Sequence, residues 1–454
     1  MATIVIIGAG LTGLSAAYHL EQKGFYDYVL FDKEPTIGGL CRSISQDGFT
    51  FDYTGHLLHS SDAYFKQFIA HLLPDHFFNT IVRRSFIYSN GRYSKYPFQM
   101  HLQGLPVEVM VDCISGYAQR KIQRSPVMFK DWVLSQFGAG FGKHFFFPYQ
   151  RKIFSYPVSK LSADWTSRFV PQTDLTAIIR GALGDLPDEP VGYNSSFLYP
   201  KSGGIISWVD ALAQRLQNPI YTSCAVNNID IKAKVISFAN GHRQNYDQLI
   251  TTMPLDQLLG RIQEPSNSFL GAARHQLRCA KVVNFNLGFN RDDISDKHWI
   301  YFPEKQFPFY RLGFPHNFSA GSVPDGCSSL YGEFSYLNQS RSWINRTLVH
   351  AIEQTHTLFG ISKSDVTTQV IIPIEHAYVI YNLWRKKNLG RILQALESNA
   401  IYSIGRYGAW KYSSMQEAVL EGKAIADRLI TIPAYKDAAH ASVLHPFEQQ
   451  QMGA

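Results

Sequence analysis

The sequence predicts an α/β protein built around a parallel, nucleotide-binding sheet, and three observations carry that prediction. A buried-strand pattern, Thr3-Ile4-Val5-Ile6-Ile7, runs straight into Gly8-Ala9-Gly10-Leu11-Thr12-Gly13 and then a helical run from Leu14 to Gln22. A second apolar run, Tyr28-Val29-Leu30-Phe31, ends on an acid, Asp32. Far along the chain a strand-like run, Ala400 to Ile404, leads through Gly405-Arg406-Tyr407-Gly408 into the helix-patterned segment Gln416 to Ala424.

Each element has a physical reason. Glycines spaced G-x-G-x-x-G between a strand and a helix let the backbone approach a pyrophosphate at a helix N-terminus. An acid closing the next strand stands where it can accept from a ribose hydroxyl, so Asp32 joins Gly8, Gly10 and Gly13 as a cofactor-binding candidate, with Lys33 beside it. The late turn repeats the strand-to-helix geometry, where N–H groups meet negative charge. Its Arg406, Tyr407 and Tyr412 add anion and hydroxyl donors at the same place. Tyr246 to Thr252 reads as a further strand arriving at the nucleotide, stopped by Pro254.

Composition bounds the rest. A chain of 454 residues is too long for one simple core, and 45% hydrophobic with 17% charged residues describes a soluble globular protein. The net charge of +7 is spread out, which favours an anionic small ligand over nucleic acid. Five cysteines, Cys41, Cys113, Cys224, Cys279 and Cys327, lack C-x-x-C spacing. They read as free thiols in a reducing compartment, with no metal site. The glycine-interrupted first run lacks a basic leader, and no apolar run reaches membrane-spanning length, so a cytoplasmic protein without membrane insertion is expected.

Between the nucleotide signals lie insertions. Phe86 to Tyr96 reads as a hairpin turning on Asn90-Gly91. Residues 103–190 read as mainly helical, and Val282 to Tyr336 as β-rich. The resulting domain reading is discontinuous: 1–62, 195–262 and 398–432 form the cofactor domain, with a hairpin in 63–102. A helical insertion follows in 103–194, then a substrate β-sheet domain in 263–397 and a peripheral tail in 433–454. Arg311 lies inside an aromatic β-run bounded by prolines, where a charged group is rarely buried without a partner.

Ile37-Gly38-Gly39-Leu40-Cys41-Arg42-Ser43 resembles the second glycine pair of FAD enzymes of the amine-oxidase and protoporphyrinogen-oxidase superfamily. Gly405 to Met415 resembles the flavin-contacting motif of the UDP-galactopyranose mutases within it. The fold implied is a Rossmann-type FAD-binding domain with a mixed β-sheet substrate domain and a helical insertion. Gly55-His56-Leu57-Leu58-His59 resembles the histidine loop that faces the flavin in those mutases. The resemblance therefore implies cofactor contacts at Gly38, Gly39, Leu40, Gly55, His56, Gly405, Arg406 and Met415.

The mutase resemblance extends over nearly the whole chain. Trp299 to Glu304 with Pro308-Phe309-Tyr310-Arg311 is similar to the segment giving the diphosphate a tyrosine and an arginine, here Tyr301 and Arg311. Trp165-Thr166-Ser167-Arg168 is similar to the segment with the second arginine, one residue shorter just before it. Tyr96-Pro97-Phe98-Gln99 resembles the uridine-side turn, and Phe145 with Tyr149-Gln150 falls where the family has an aromatic stack and an Asn. Asn194 resembles a sugar-contacting Asn, and Tyr378 and Tyr412 are diphosphate donors on the same resemblance. The departures are Gln150 and Phe154 for an Asn and a Trp, and Ser414 for an Asp.

The resemblance implies a redox-neutral isomerase of polysaccharide biosynthesis. It would interconvert pyranose and furanose forms of a nucleotide-diphosphate sugar, UDP-linked in that family, through an adduct of the sugar with N5 of reduced FAD. Arg311, Arg168, His56 and Arg406 would then be catalytic, and no protein acid–base triad is needed. The alternative is an FAD-dependent oxidoreductase of the amine-oxidase type, which shares the Gly8 to Gly13 and Gly38-Gly39 features and needs no Tyr301/Arg311 pair.

Overall fold

The computed structural model describes residues 3–166, 170–186, 192, 195–263, 268–432 and 435. A five-stranded parallel sheet runs in the order Ile401–Ser403, Gln248–Thr251, Ile4–Ile7, Tyr28–Phe31, Ile220–Tyr221. The first strand is central and buried along its whole length, as an unbroken apolar run requires when both faces of a sheet are covered. Behind it the helices Leu11–Glu21 and Met415–Ile430 pack together closely. Gly422 sits where an added Cβ would lie 2.6 Å from the Thr12 carbonyl oxygen and from the Ser15 Cβ. The Ser15 hydroxyl donates to the Val419 carbonyl at 2.7 Å across 404 residues of chain.

The second large sheet is mixed and seven-stranded, in the order Val366–Val379, Cys279–Phe289, Ser328–Tyr336, Arg311–Gly313, Trp299–Tyr301, Ser85–Ser89, Arg92–Lys95. The expected hairpin forms. Asn90 and Gly91 take φ of 54° and 73°, the left-handed pair that a two-residue type I′ connection needs. Two elements were not anticipated. A three-stranded antiparallel meander, Val226–Asp230, Val235–Phe238 and Arg243–Asn245, stands beside the parallel sheet. The 14-residue strand Val366–Val379 lies beyond the stretch read as β-rich. It carries an interior proline, Pro373, which argues against a strand but is tolerated because this one lies at the sheet edge.

The helical insertion contains Val107–Ala118, Phe129–Gln136, Phe147–Phe154 and Leu175–Leu183, with a π-helical turn at Gly142–Phe146. Lys152 fixes it to the mixed sheet. Its buried amine donates to the carbonyls of Phe302 at 2.6 Å and Glu304 at 3.1 Å, just after the strand that ends on Tyr301. Among the described residues no helix is long and apolar enough to cross a membrane.

Candidate functional site

A cleft of about 1020 Å³ opens between the C-terminal ends of the parallel strands and the mixed sheet. Its floor is main chain. Gly8 adopts φ +106°, and a Cβ there would stand 2.1 Å from the Thr252 hydroxyl. A Cβ on Gly13 would stand 1.9 Å from the Gly8 carbonyl oxygen, so the turn closes only with glycine. Gly10 bridges Gly38, whose N–H donates to the Ala9 carbonyl at 2.9 Å. The two glycine motifs thus form one surface, with Gly39 and Leu40 beside it in the cleft.

Asp32 lines the cleft and is occupied more fully than the ribose reading assumed. It accepts the backbone N–H of Ala9 at 2.6 Å and of Glu34 at 2.8 Å. Burial raises its pKa, against the lowering effect of those two N–H groups. Its first duty is to tie the glycine turn to the strand end, with remaining lone pairs toward the cavity. Lys33 is an exposed rim residue paired with Glu34 at 3.4 Å.

The C-terminal turn closes the opposite wall. The Gly405 N–H is taken by the Glu421 carboxylate at 2.8 Å, and the helix Met415–Ile430 begins at the cleft with a capping box between Ser414 and Glu417. Met415 is its first residue and is buried. Arg406 donates to the Ser413 carbonyl at 2.8 Å and the Ala377 carbonyl at 3.1 Å, and lies 4.6 Å from the centre of the Tyr412 ring. It therefore couples the late turn to the edge strand of the mixed sheet.

His56 follows Gly55 in the lining, and its Nδ1 is buried without a hydrogen-bond partner among the described residues. Burial, then the charges of Arg406 and Arg311, push its pKa down to about 4, so the imidazole is neutral at physiological pH. At the same end stand Tyr301, Tyr310 and Tyr378. Burial raises the pKa of each, that of Tyr378 to about 12, so all present neutral hydroxyls. Tyr412 also lines the cleft.

Arg311 lines the cleft and is paired there with a buried carboxylate. Nε donates to Glu333 at 3.0 Å and Nη2 at 2.7 Å, and the Glu333 side chain is fully buried. Burial alone would lower the pKa of Arg311; the carboxylate overrides it and holds it well above the usual value. Three N–H groups, two on Nη1 and the second on Nη2, remain for a ligand.

The expected base pocket is not part of the cleft. Gln99 is buried, and its amide nitrogen donates to the Pro171 carbonyl at 2.6 Å. Phe145 is stacked between Phe98 and Tyr149, with ring centres 5.1 and 5.2 Å apart. Tyr149 meets Tyr301 edge-on at 5.4 Å, and Gln150 is half-buried on the same helix. None of these four lines the cavity; the aromatic column backs Tyr301 instead. Arg168 and Asn194 lie outside the described residues.

Sequence reasoning passed over Glu333, Arg42 and the His376–Asp256 pair. Arg42 donates to the Gly39 carbonyl at 2.8 Å and covers the Tyr53 ring at 4.7 Å. His376 sits 3.0 Å from both oxygens of Asp256 at the rim. Only Arg42 had a signal, its place just after the second glycine pair. Among the described residues no three acids, histidines or cysteines group as a metal site, and the five cysteines are free.

Comparison with known proteins agrees with this fold. Residues 6–72 match the family model of the NAD(P)-binding Rossmann-like domain. A crystal structure of reduced UDP-galactopyranose mutase superposes with a TM-score of 0.87 and 28% identity, covering 98% of both chains. A putative protoporphyrinogen oxidase from Exiguobacterium sp. 255-15 shares the fold, with a TM-score of 0.74 at 15% identity over 94% of this chain and 98% of that one. A 4,4'-diapophytoene desaturase from Staphylococcus aureus (strain COL) is 37% identical over 67 residues, which is 15% of this chain and 13% of the desaturase.

Proposed function

We propose that the protein is an FAD-dependent, redox-neutral isomerase of a nucleotide-diphosphate sugar, resembling UDP-galactopyranose mutase. One observation carries this reading. The cleft that begins at the glycine turns ends at Arg311, Arg406 and a group of neutral tyrosine hydroxyls, a lining suited to an anionic leaving group next to a cofactor. The likeness to the reduced mutase over 98% of the chain supports it.

The residues present fit FAD. The glycine cradle is one that a Cβ would fill, Asp32 stands at the end of the second strand, and His56, whose buried Nδ1 has no hydrogen-bond partner among the described residues, lines the cleft. Reduced flavin supplies a nucleophilic nitrogen for attack at a sugar's anomeric carbon. The chain itself positions and stabilises. Gly8 to Gly13 and the first turn of Met415–Ile430 hold the pyrophosphate. The remaining N–H groups of Arg311, the Arg406 charge and the hydroxyls of Tyr301, Tyr378 and Tyr412 meet the charge that gathers on a departing diphosphate. His56, neutral, hydrogen-bonds without adding charge. Arg168 and Asn194 are proposed to complete the diphosphate and sugar contacts.

The test is to purify the protein, confirm FAD by its absorbance, and incubate dithionite-reduced protein with a series of UDP-sugars. Chromatography should show an isomeric UDP-sugar formed only by reduced protein, with no net consumption of reductant. The shared fold with the putative protoporphyrinogen oxidase favours a second reading, a conventional flavin oxidoreductase. Substrate oxidation with stoichiometric hydrogen peroxide release would establish that one instead.

A further inference from the structure

Glu333 is fully buried in the middle of the mixed sheet, on the strand Ser328–Tyr336, directly across from Arg311 in the register of the neighbouring strand. On its other side the register places Asn284, also fully buried, whose amide nitrogen lies toward the Gly332 carbonyl and whose carbonyl accepts from Asn286 at 2.7 Å. Asn284 carries no charge to balance the carboxylate. The tyrosines nearby, Tyr310, Tyr331 and Tyr378, are held neutral by burial. Among the described residues Arg311 is the one cation in ion-pair contact with Glu333.

A cation meant only to bind phosphate gains nothing from a carboxylate that takes two of its donors. Without any counter-ion, however, a guanidinium in this buried place would be costly, since effective penalties for unpaired buried ions are severe. We propose that Glu333 is a positioning residue that serves as Arg311's counter-ion while the cleft is empty and competes with the diphosphate for it when the cleft is filled. This rests on the diphosphate reading above. Glu333 thereby offsets the Arg311 charge, fixes the direction of its remaining N–H groups, and weakens the hold on a diphosphate so that it can be released.

The competing charge has a calculable sign. A buried carboxylate on the far side of a guanidinium opposes a bound phosphate by an amount worth about tenfold or more in binding at an effective dielectric of about 20. Glu333→Gln keeps the shape, removes the charge, and should bind UDP about tenfold more tightly in calorimetry at matched FAD content. UDP should also raise its melting temperature more than it raises the wild type's. Glu333→Asp, which retains the charge, should show no such gain. Turnover in Glu333→Gln should fall while KM also falls, a split that a merely structural role would not produce, because loosening the sheet would weaken binding. If Glu333→Gln accumulates only as unfolded protein, UDP added on refolding should recover it, since the ligand then supplies the missing counter-ion. UDP binding equal to or weaker than wild type, or no recovery by UDP, overturns the proposal alone. UDP binding to neither protein overturns the diphosphate reading with it.

Discussion

At one end of the cleft the contacts are main chain; at the other they are side chain. The nucleotide end is made of glycine turns whose atoms approach within distances that no Cβ allows, and Asp32 is spent on holding them. The far end is made of Arg311, Arg406 and tyrosines, each already engaged by another part of the protein. A backbone cradle tolerates almost no substitution and has one shape. A side-chain wall is adjustable, and its partners decide what is left for a ligand.

The sharpest break of that contrast is at the cradle. Gly13→Ala forces a methyl group against the Gly8 carbonyl oxygen, an overlap with backbone that no rotamer relieves. The expected cost is at or above the roughly 3 kcal/mol upper end for overpacking. FAD absorbance per mole of protein and the urea midpoint should fall together.

Arg311→Ala should lose about 10²–10³ in turnover at saturating UDP-sugar and matched FAD. It should also destabilise the fold, because Glu333 is left as a buried, unpaired carboxylate. The double variant Arg311→Ala/Glu333→Ala should regain most of the melting temperature and none of the turnover. Full recovery of turnover in the double variant would remove Arg311 from the chemistry.

Acid separates the two ends by a different route. Burial pushes His19, His56 and His298 down to about 4. Their unfolded value is about 6.5, so between those limits the unfolded chain binds more protons, and stability falls as pH drops from about 6.5 to about 4. Asp52, raised to about 6 by burial, works the other way, gaining on acidification. Three groups against one leave a net loss, visible as a lower melting temperature at pH 5 than at pH 7. The arginine and tyrosine end keeps its charge well above neutrality, so UDP affinity should hold steady between about pH 7.5 and 9.

The smallest effect is expected at Gln99. Gln99→Leu leaves the Pro171 carbonyl without its donor and should cost about 1 kcal/mol of stability. UDP affinity should change less than about twofold, well within the noise of a 1 kcal/mol effect. A tenfold loss would return Gln99 to the ligand site.

How much was legible follows the same division. Gly8, Gly10, Gly13, Gly38, Gly39 and Gly405 stand out in the sequence because backbone geometry dictates the residue type there. The parallel strands at Ile4–Ile7, Tyr28–Phe31, Gln248–Thr251 and Ile401–Ser403 followed from their apolar runs. Arg311 was visible as an arginine among aromatics, but its pairing with Glu333, 22 residues on, is a matter of strand register that no local pattern encodes. Gln99, Phe145 and Tyr149 are hydrogen-bonding and aromatic types that suit a base pocket and a protein core equally. Packing placed them in the core. The strand Val366–Val379 was hidden by Pro373, whose cost vanishes only at an edge that the sequence does not mark.

The Ser15 to Val419 contact has a consequence for how the protein is made. Ser15 and Val419 are 404 residues apart, so the helix that carries Arg406's neighbours is synthesised long after the strand beside the first glycine turn. Until it is, the Leu11–Glu21 helix lacks its most extensive packing partner and the cleft lacks a wall. Cofactor capture therefore cannot proceed on the ribosome domain by domain. It must wait until two segments 404 residues apart have both been made. A ribosome-stalled nascent chain ending before residue 398 should take up no flavin, however well its early strands have folded.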